Sequence, residues 1–254
     1  MSLRGEIIGS CELGCIDGFV KGLHPCECMK KFRAYNRMVS TGFSKGTLDL
    51  INSENYQDLV YESGEDFVKF YLADLYMTEE RGLSLFVYSR DRGRGKTTLA
   101  HQIIFEAVKL FSEDENYKST RTYAFEHVDS FLSSFSTQKK KNEVSPLWQS
   151  TWYVLDDLGH EDRTAKWKKG ILLDSIQRML HYRRDLGLPT IITSNYAPGD
   201  LSSLYEREVD SLLEIQVDGV LGGERFRSVH VGGAEDFRLQ TQNSAWSGME
   251  KTND

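Results

Sequence analysis

The sequence predicts an α/β fold, a parallel sheet flanked by helices, and three observations lead there. Short runs apolar on both faces recur along the chain, at Leu83–Tyr88, Trp152–Leu155 and Thr190–Ser194. Strands with this pattern suit the interior of a parallel sheet covered on both sides. Stretches with helical spacing lie between them, at Thr97–Leu110 and Gly170–Arg184. A glycine-bearing turn, SRDRGRGKTT, joins the first of these strands to the first of these helices. Strands alternating with crossover helices make a sheet parallel.

The chain is 254 residues long, with a formal charge of -7, 39% hydrophobic and 11% aromatic residues. That is enough apolar material for one full domain and a small accessory module. The acidic balance excludes a protein that coats nucleic acid over its whole surface, while leaving room for a local basic stripe. No apolar run reaches the roughly 18 residues that span a bilayer, and the first residues lack the order of a secretory signal. The expected localisation is cytoplasmic.

Residues 1–45 hold all four cysteines, Cys11, Cys15, Cys26 and Cys28, followed by the basic Lys30, Lys31, Arg33 and Arg37. Two pairs of thiolates offer zinc its tetrahedral sulfur shell, with His24 as an alternative ligand. Disulfides are the other reading, which a cytoplasmic setting disfavours. So short a module lacks the core to fold alone, and Zn²⁺ binding would supply the missing stability. Residues 46–81 are expected to be a helical linker. Within it Phe67, Val68, Phe70, Tyr71, Leu75 and Tyr76 recur at the spacing of one amphipathic helix over Gly64–Arg81. The core is placed at 82–235, with further strands at Arg121–Phe125, Glu214–Val217 and Ser228–Val231. Residues 236–254 are polar and expected to be a flexible tail.

The SRDRGRGKTT segment lies where a phosphate-binding loop belongs, between a strand and a helix. Gly93 and Gly95 let backbone N–H groups close around phosphate oxygens, with Arg94 between them and Thr98 following. Lys96 is expected at the β/γ-phosphates of ATP and the Thr97 hydroxyl on Mg²⁺. Arg90 stands where such loops usually have their first glycine. Downstream, the strand beginning at Trp152 ends in Asp156 and Asp157. Asp156 is assigned to the Mg²⁺ shell and Asp157 to the general base that polarises water. The strand Thr190–Ser194 delivers Asn195, an amide placed to hold that water and sense the γ-phosphate.

FVYSRDRGRGKTTLA, WYVLDDLGHED and LPTIITSNY, in this order, resemble the DnaC/DnaI branch of the AAA+ ATPases. These are helicase loaders of bacteria and phages, related to the IstB transposition ATPases. The resemblance spans about Leu83 to Val231, and the cysteine-bearing front end is also similar to DnaC-type phage proteins. It implies an ATPase that recruits a replicative ring helicase to single-stranded DNA and self-assembles with nucleotide, the front end being the helicase-interaction module. It also implies an arginine acting on a neighbouring subunit's ATP. Ser211 occupies the expected position, leaving Arg207, one turn earlier, and Arg183 as substitutes. Arg227, in Gly223-Glu224-Arg225-Phe226-Arg227, matches the arginine that senses nucleotide near the family's C-terminal end. Lys139, Lys140 and Lys141 and the basic run after Cys28 are the candidate DNA contacts. Phe131 and Phe135, at i, i+4, are assigned to the core. Two alternatives stay open: a transposition helper of the IstB kind, and a nucleotide-gated adaptor with negligible hydrolysis.

Overall fold

The computed structural model describes residues 19–20, 24–51, 60–111, 121–137, 144–160, 166–205, 215–216 and 226–232. Five parallel strands form the centre: β4 (Ser84–Tyr88), β5 (Tyr123–His127), β6 (Trp152–Leu158), β7 (Thr190–Ser194) and β9 (Phe226–Gly232). They lie side by side in the order β5-β6-β7-β4-β9. Two shorter strands extend the β9 side. β8 (Ile215–Gln216) pairs parallel with it, and β3 (Val60–Ser63) antiparallel. Separately, β1 (Phe19–Val20) and β2 (His24–Pro25), two residues each, pair antiparallel.

Side chains alternate across a strand, so each apolar run feeds two cores. Leu85, Val87, Val154 and Ile191 face one layer, and Phe86, Tyr153, Leu155 and Ile192 the other. The first layer is built around α5 (Lys96–Phe111), whose Leu99, Ile103, Ile104 and Val108 are fully buried. The second is covered by α6 (Val128–Thr137), α7 (Lys166–Asp185) and α8 (Pro198–Tyr205), with a 3₁₀ turn at Pro146–Gln149. Phe131 is fully buried there and stacks on Trp148, as its helical spacing suggested.

Helices from the stretch expected to be adaptor and linker pack into the first core. Ala34, Tyr35 and Met38 of α1 (Glu27–Ser40), Phe43, and Leu48 of α2 (Lys45–Ile51) are buried in the same cluster as α5. The reason lies in composition: α1 carries an apolar stripe that the exposed flank of α5 needs as much as α1 does. Of the basic run, Arg37 turns inward, donating to the Arg121 carbonyl and lying over the Tyr123 ring.

The single helix expected over Gly64–Arg81 is two, α3 (Glu65–Ala73) and α4 (Leu75–Glu80). Asp74 leaves helical geometry, with φ -138° and ψ 78°, and its carboxylate accepts the Met77 N–H. An N-capping aspartate thus restarts the helix in a new direction. Phe70 and Tyr76, read from spacing as apolar-face residues, are about half exposed as a result. Glu79 then ties α4 to the sheet, accepting from Arg121 at 2.7 Å and from the Trp152 indole at 2.8 Å. No helix among the described residues is long and apolar enough to cross a membrane.

Candidate nucleotide site

The C-terminal ends of parallel strands are where open α/β sheets collect their functional loops. Here β4, β5, β6 and β7 all deliver polar residues to one cavity of about 670 Å³. Its walls include Gly93, Arg94, Gly95, Lys96, Thr97, Thr98, Asp156, Asp157 and Asn195. Nine residues assigned to ATP, its metal or the attacking water, from three separate motifs, therefore meet in one place.

The loop between β4 and α5 takes its shape from two glycines. Gly93 and Gly95 have φ of 78° and 90°, the left-handed region that a side chain disfavours. Lys96 opens α5, is only 7% exposed, and donates to the carbonyls of Asp91 at 3.1 Å and Ser89 at 3.4 Å. Its ammonium is thus held over the loop that the phosphates would enter. Arg94 pairs with Asp91 at 3.1 Å across the loop. Arg90 points out of it, binding Asp200 of α8 through Nε at 3.1 Å and Nη2 at 3.4 Å. An arginine fits at this position because its backbone needs no positive φ and its side chain leaves the cradle.

On the opposite wall, the Thr97 hydroxyl donates to Oδ1 of Asp156 at 2.9 Å. Thr193 Oγ1 donates to the same oxygen at 2.6 Å and accepts the Asp157 N–H at 2.9 Å. Asp157 is the one described non-glycine residue with positive φ, 63°. The β6–β7 register slips between Leu155 and Leu158 to accommodate it, a bulge that re-aims a side chain beside the site. Asn195 Nδ2 donates to Oδ1 of Asp157 at 2.5 Å. Thr97 and Asp156 are adjacent, partly buried oxygen donors, the set a hard cation such as Mg²⁺ requires.

Sequence reasoning missed a second part of the cavity. Ser44, Gly46 and Thr47, at the start of α2, line it. They carry no phosphate-binding pattern and reach it only because α1 and α2 pack on α5. His101 fastens them there. Fully buried on α5, it lies 2.7 Å from the Thr97 carbonyl through Nδ1, and its Nε2 accepts the Ser44 N–H at 3.2 Å. Those two bonds fit the neutral ring with its proton on Nδ1, and burial pushes its pKa below the usual histidine value. Arg92, His127 and His160 complete the wall; the LGHED that follows LDD was the available signal for His160.

Two arginine assignments need correction. Arg183 cannot act on a neighbouring subunit's nucleotide, because it is fully buried inside its own chain. Its guanidinium donates to the carbonyls of Trp148, Ser150, Thr151 and Pro189 and to Thr190 Oγ1. Desolvation pushes its pKa down to about 9, which leaves it charged at neutral pH. Arg227, assigned as the nucleotide sensor, does not line the cavity. It pairs in register with Leu85, three residues or roughly 10 Å before the strand end that carries the loop, and lies over Phe67. Cys26 and Cys28 are buried at the head of α1, 2% and 8% exposed. Cys11, Cys15, Lys139, Lys140, Lys141, Arg207 and Ser211 lie outside the described residues.

No family model matches the chain. It is similar to the replicative helicase loader DnaI of Bacillus subtilis (strain 168), 25% identical over 142 residues. That stretch is 56% of this chain and 41% of the relative, so the chain matches well under half of that protein's length. Among solved structures, a DnaI crystal structure aligns over 81% of this chain and 100% of its own, at 18% identity and a TM-score of 0.49. The DnaC helicase loader aligns over 58% and 79%, at 20% identity and a TM-score of 0.39. AMPPCP-bound DnaA from Aquifex aeolicus aligns over 76% and 54%, at 16% identity and 0.47. The similarity to DnaI is that of a distant homologue.

Proposed function

We propose that the chain is an ATPase that delivers a replicative ring helicase to single-stranded DNA when replication begins. The observation that carries the reading is the meeting of Lys96, Thr97, Asp156, Asp157 and Asn195 in one cavity. Lys96 and the N–H groups of the Gly93–Gly95 turn hold the β- and γ-phosphates. Thr97 and Asp156 hold Mg²⁺, which when bound neutralises charge on the transferring phosphoryl group. Asp157 accepts the proton of the attacking water, and Asn195 fixes the direction of that carboxylate. Ser44, Gly46 and Thr47 line the same cavity and would meet the rest of the nucleotide.

Helicase recruitment, contact with single-stranded DNA and nucleotide-dependent self-assembly enter through the homology with DnaI. Arg207 is the proposed residue acting between subunits, and Lys139–Lys141 the proposed DNA contact. Zinc at Cys11, Cys15, Cys26 and Cys28 belongs to the same reading. The donor chemistry suits it, and Cys26 and Cys28 are both buried at a helix start.

The test is ATP hydrolysis by the full chain, alone and with the host's ring helicase and single-stranded DNA. The reading expects turnover that rises with both, and helicase capture that is lost when Lys96 is replaced by alanine. Tight ATP binding with no turnover under any condition would leave the nucleotide-gated adaptor. Stimulation by duplex DNA alone would point to the transposition helper.

A further inference from the structure

Beside the ATP cavity, three side chains without a part in hydrolysis converge. His127 ends β5, Asp129 stands in the first turn of α6, and His160 follows Gly159 in the turn after β6. Nδ1 of His127 is 3.5 Å and Nδ1 of His160 is 3.7 Å from Oδ2 of Asp129. The three ligand atoms lie within 4.8 Å of one another. Ligands about 2.1 Å from a tetrahedral metal are about 3.4 Å apart, so small rotations of partly exposed side chains complete the geometry. The two imidazoles cross at 72°, which lets both turn a ring edge toward the same point.

The tautomer suits ligation. Nδ1 of His127 accepts the Asp129 N–H at 3.3 Å, so the ring proton sits on Nε2, and a metal ion would take the Nδ1 lone pair in exchange for that long bond. Nε2 faces Oδ2 of Asp157 at 3.8 Å. A carboxylate behind a ligating histidine is the usual outer partner of a metal site, fixing the ring and its proton. We propose that His127, Asp129 and His160 form a second metal site, for a borderline divalent cation such as Co²⁺, Ni²⁺ or Zn²⁺. Imidazole donors favour these ions over Mg²⁺. Both histidines line the ATP cavity, so the remaining coordination position opens toward it. Occupancy aims the His127 N–H at Oδ2 of Asp157 while Asn195 holds Oδ1, which restrains the carboxylate and slows hydrolysis. This last consequence rests on the general-base role proposed above; the site itself does not.

The experiment is a Co²⁺ titration of the full chain, followed by visible absorption. Cobalt on thiolates shows an intense near-ultraviolet charge-transfer band, so the cysteine cluster is told apart from a nitrogen and oxygen site. Besides any cobalt taken up by the cysteines, wild type should bind one equivalent that adds ligand-field bands without adding to the thiolate band. Asp129→Ala, and separately His127→Ala with His160→Ala, should weaken that equivalent at least tenfold. Identical titrations in wild type and both variants, or only thiolate-bound cobalt in wild type, overturn the site. Zn²⁺ at saturating Mg²⁺ should slow ATP turnover in wild type and not in Asp129→Ala. Equal sensitivity in a variant that has lost the cobalt equivalent overturns the link to Asp157.

Discussion

Asn195 at the end of β7 holds Oδ1 of Asp157 at the end of β6, 2.5 Å away. The pair joins adjacent strands exactly where their register slips, and Asp157 adopts a left-handed backbone, φ 63°, to take part. The proposed base is therefore aimed by a neighbouring strand and not by its own. Replacing Asp157 with asparagine removes the proton acceptor, and turnover should fall by about 10²- to 10⁴-fold with nucleotide affinity little changed. Asn195→Ala leaves the acceptor and loses its aim, costing on the order of 10²-fold. Steady-state turnover beside equilibrium nucleotide binding separates the two. Lost binding in Asp157→Asn would make Asp157 a metal ligand.

Lys96 gives a sharper test of the loop. Its ammonium is held by the Ser89 and Asp91 carbonyls, ready to exchange those partners for phosphate oxygens. Charge-assisted bonds of this kind contribute about 1.5–3 kcal/mol each. Lys96→Ala should therefore weaken ATP by roughly 100-fold or more while the chain stays folded. An unchanged dissociation constant would remove the phosphate-loop assignment.

Arg183 should behave as a structural residue. Removing it strands four carbonyls in the interior, and a broken buried charge network costs about 3–5 kcal/mol. Arg183→Met should lower the denaturation midpoint sharply, and the protein that remains folded should bind ATP normally. Unaltered stability with lost turnover, restored by mixing with wild-type chains, would return Arg183 to the subunit interface.

His101 predicts a pH dependence. Its folded pKa lies below the usual histidine value, chiefly through desolvation, so near pH 6.5 and below the unfolded chain takes up a proton that the folded chain refuses. The contribution is fully present above the unfolded pKa and declines as pH falls through about 6.5. Denaturant midpoints measured across that range should drop toward acid in wild type, with a smaller slope in His101→Gln. A slope that is unchanged in the variant would place the titration elsewhere.

The sheet and the heart of the candidate site were legible because both are written locally. Apolar runs name strands buried on two faces, and Gly93, Gly95, Lys96 and Thr97 act within one turn of chain. The strand Thr190–Ser194 has the bounds its composition suggested. Legibility ended where a residue's role depends on a distant partner. Arg183 and Arg227 look alike in sequence as polar arginines near nucleotide motifs. One is enclosed by carbonyls from the far side of a core, and the other lies at the wrong end of a strand.

Sequence by itself determined the class of fold, the glycine-shaped loop before α5 and the two strand ends that face it, since periodicity and turn chemistry are properties of neighbouring residues. Tertiary structure alone decided that α1 and α2 pack into the body that carries the candidate nucleotide site. No local pattern says which apolar surface an amphipathic helix will cover, and burial against α5 made that choice. The same packing brought Ser44 and Thr47 to the cavity and His101 to Ser44. The pairing of β5 with β6 gathered His127, Asp129 and His160, because strand order, and not chain order, sets which loops meet.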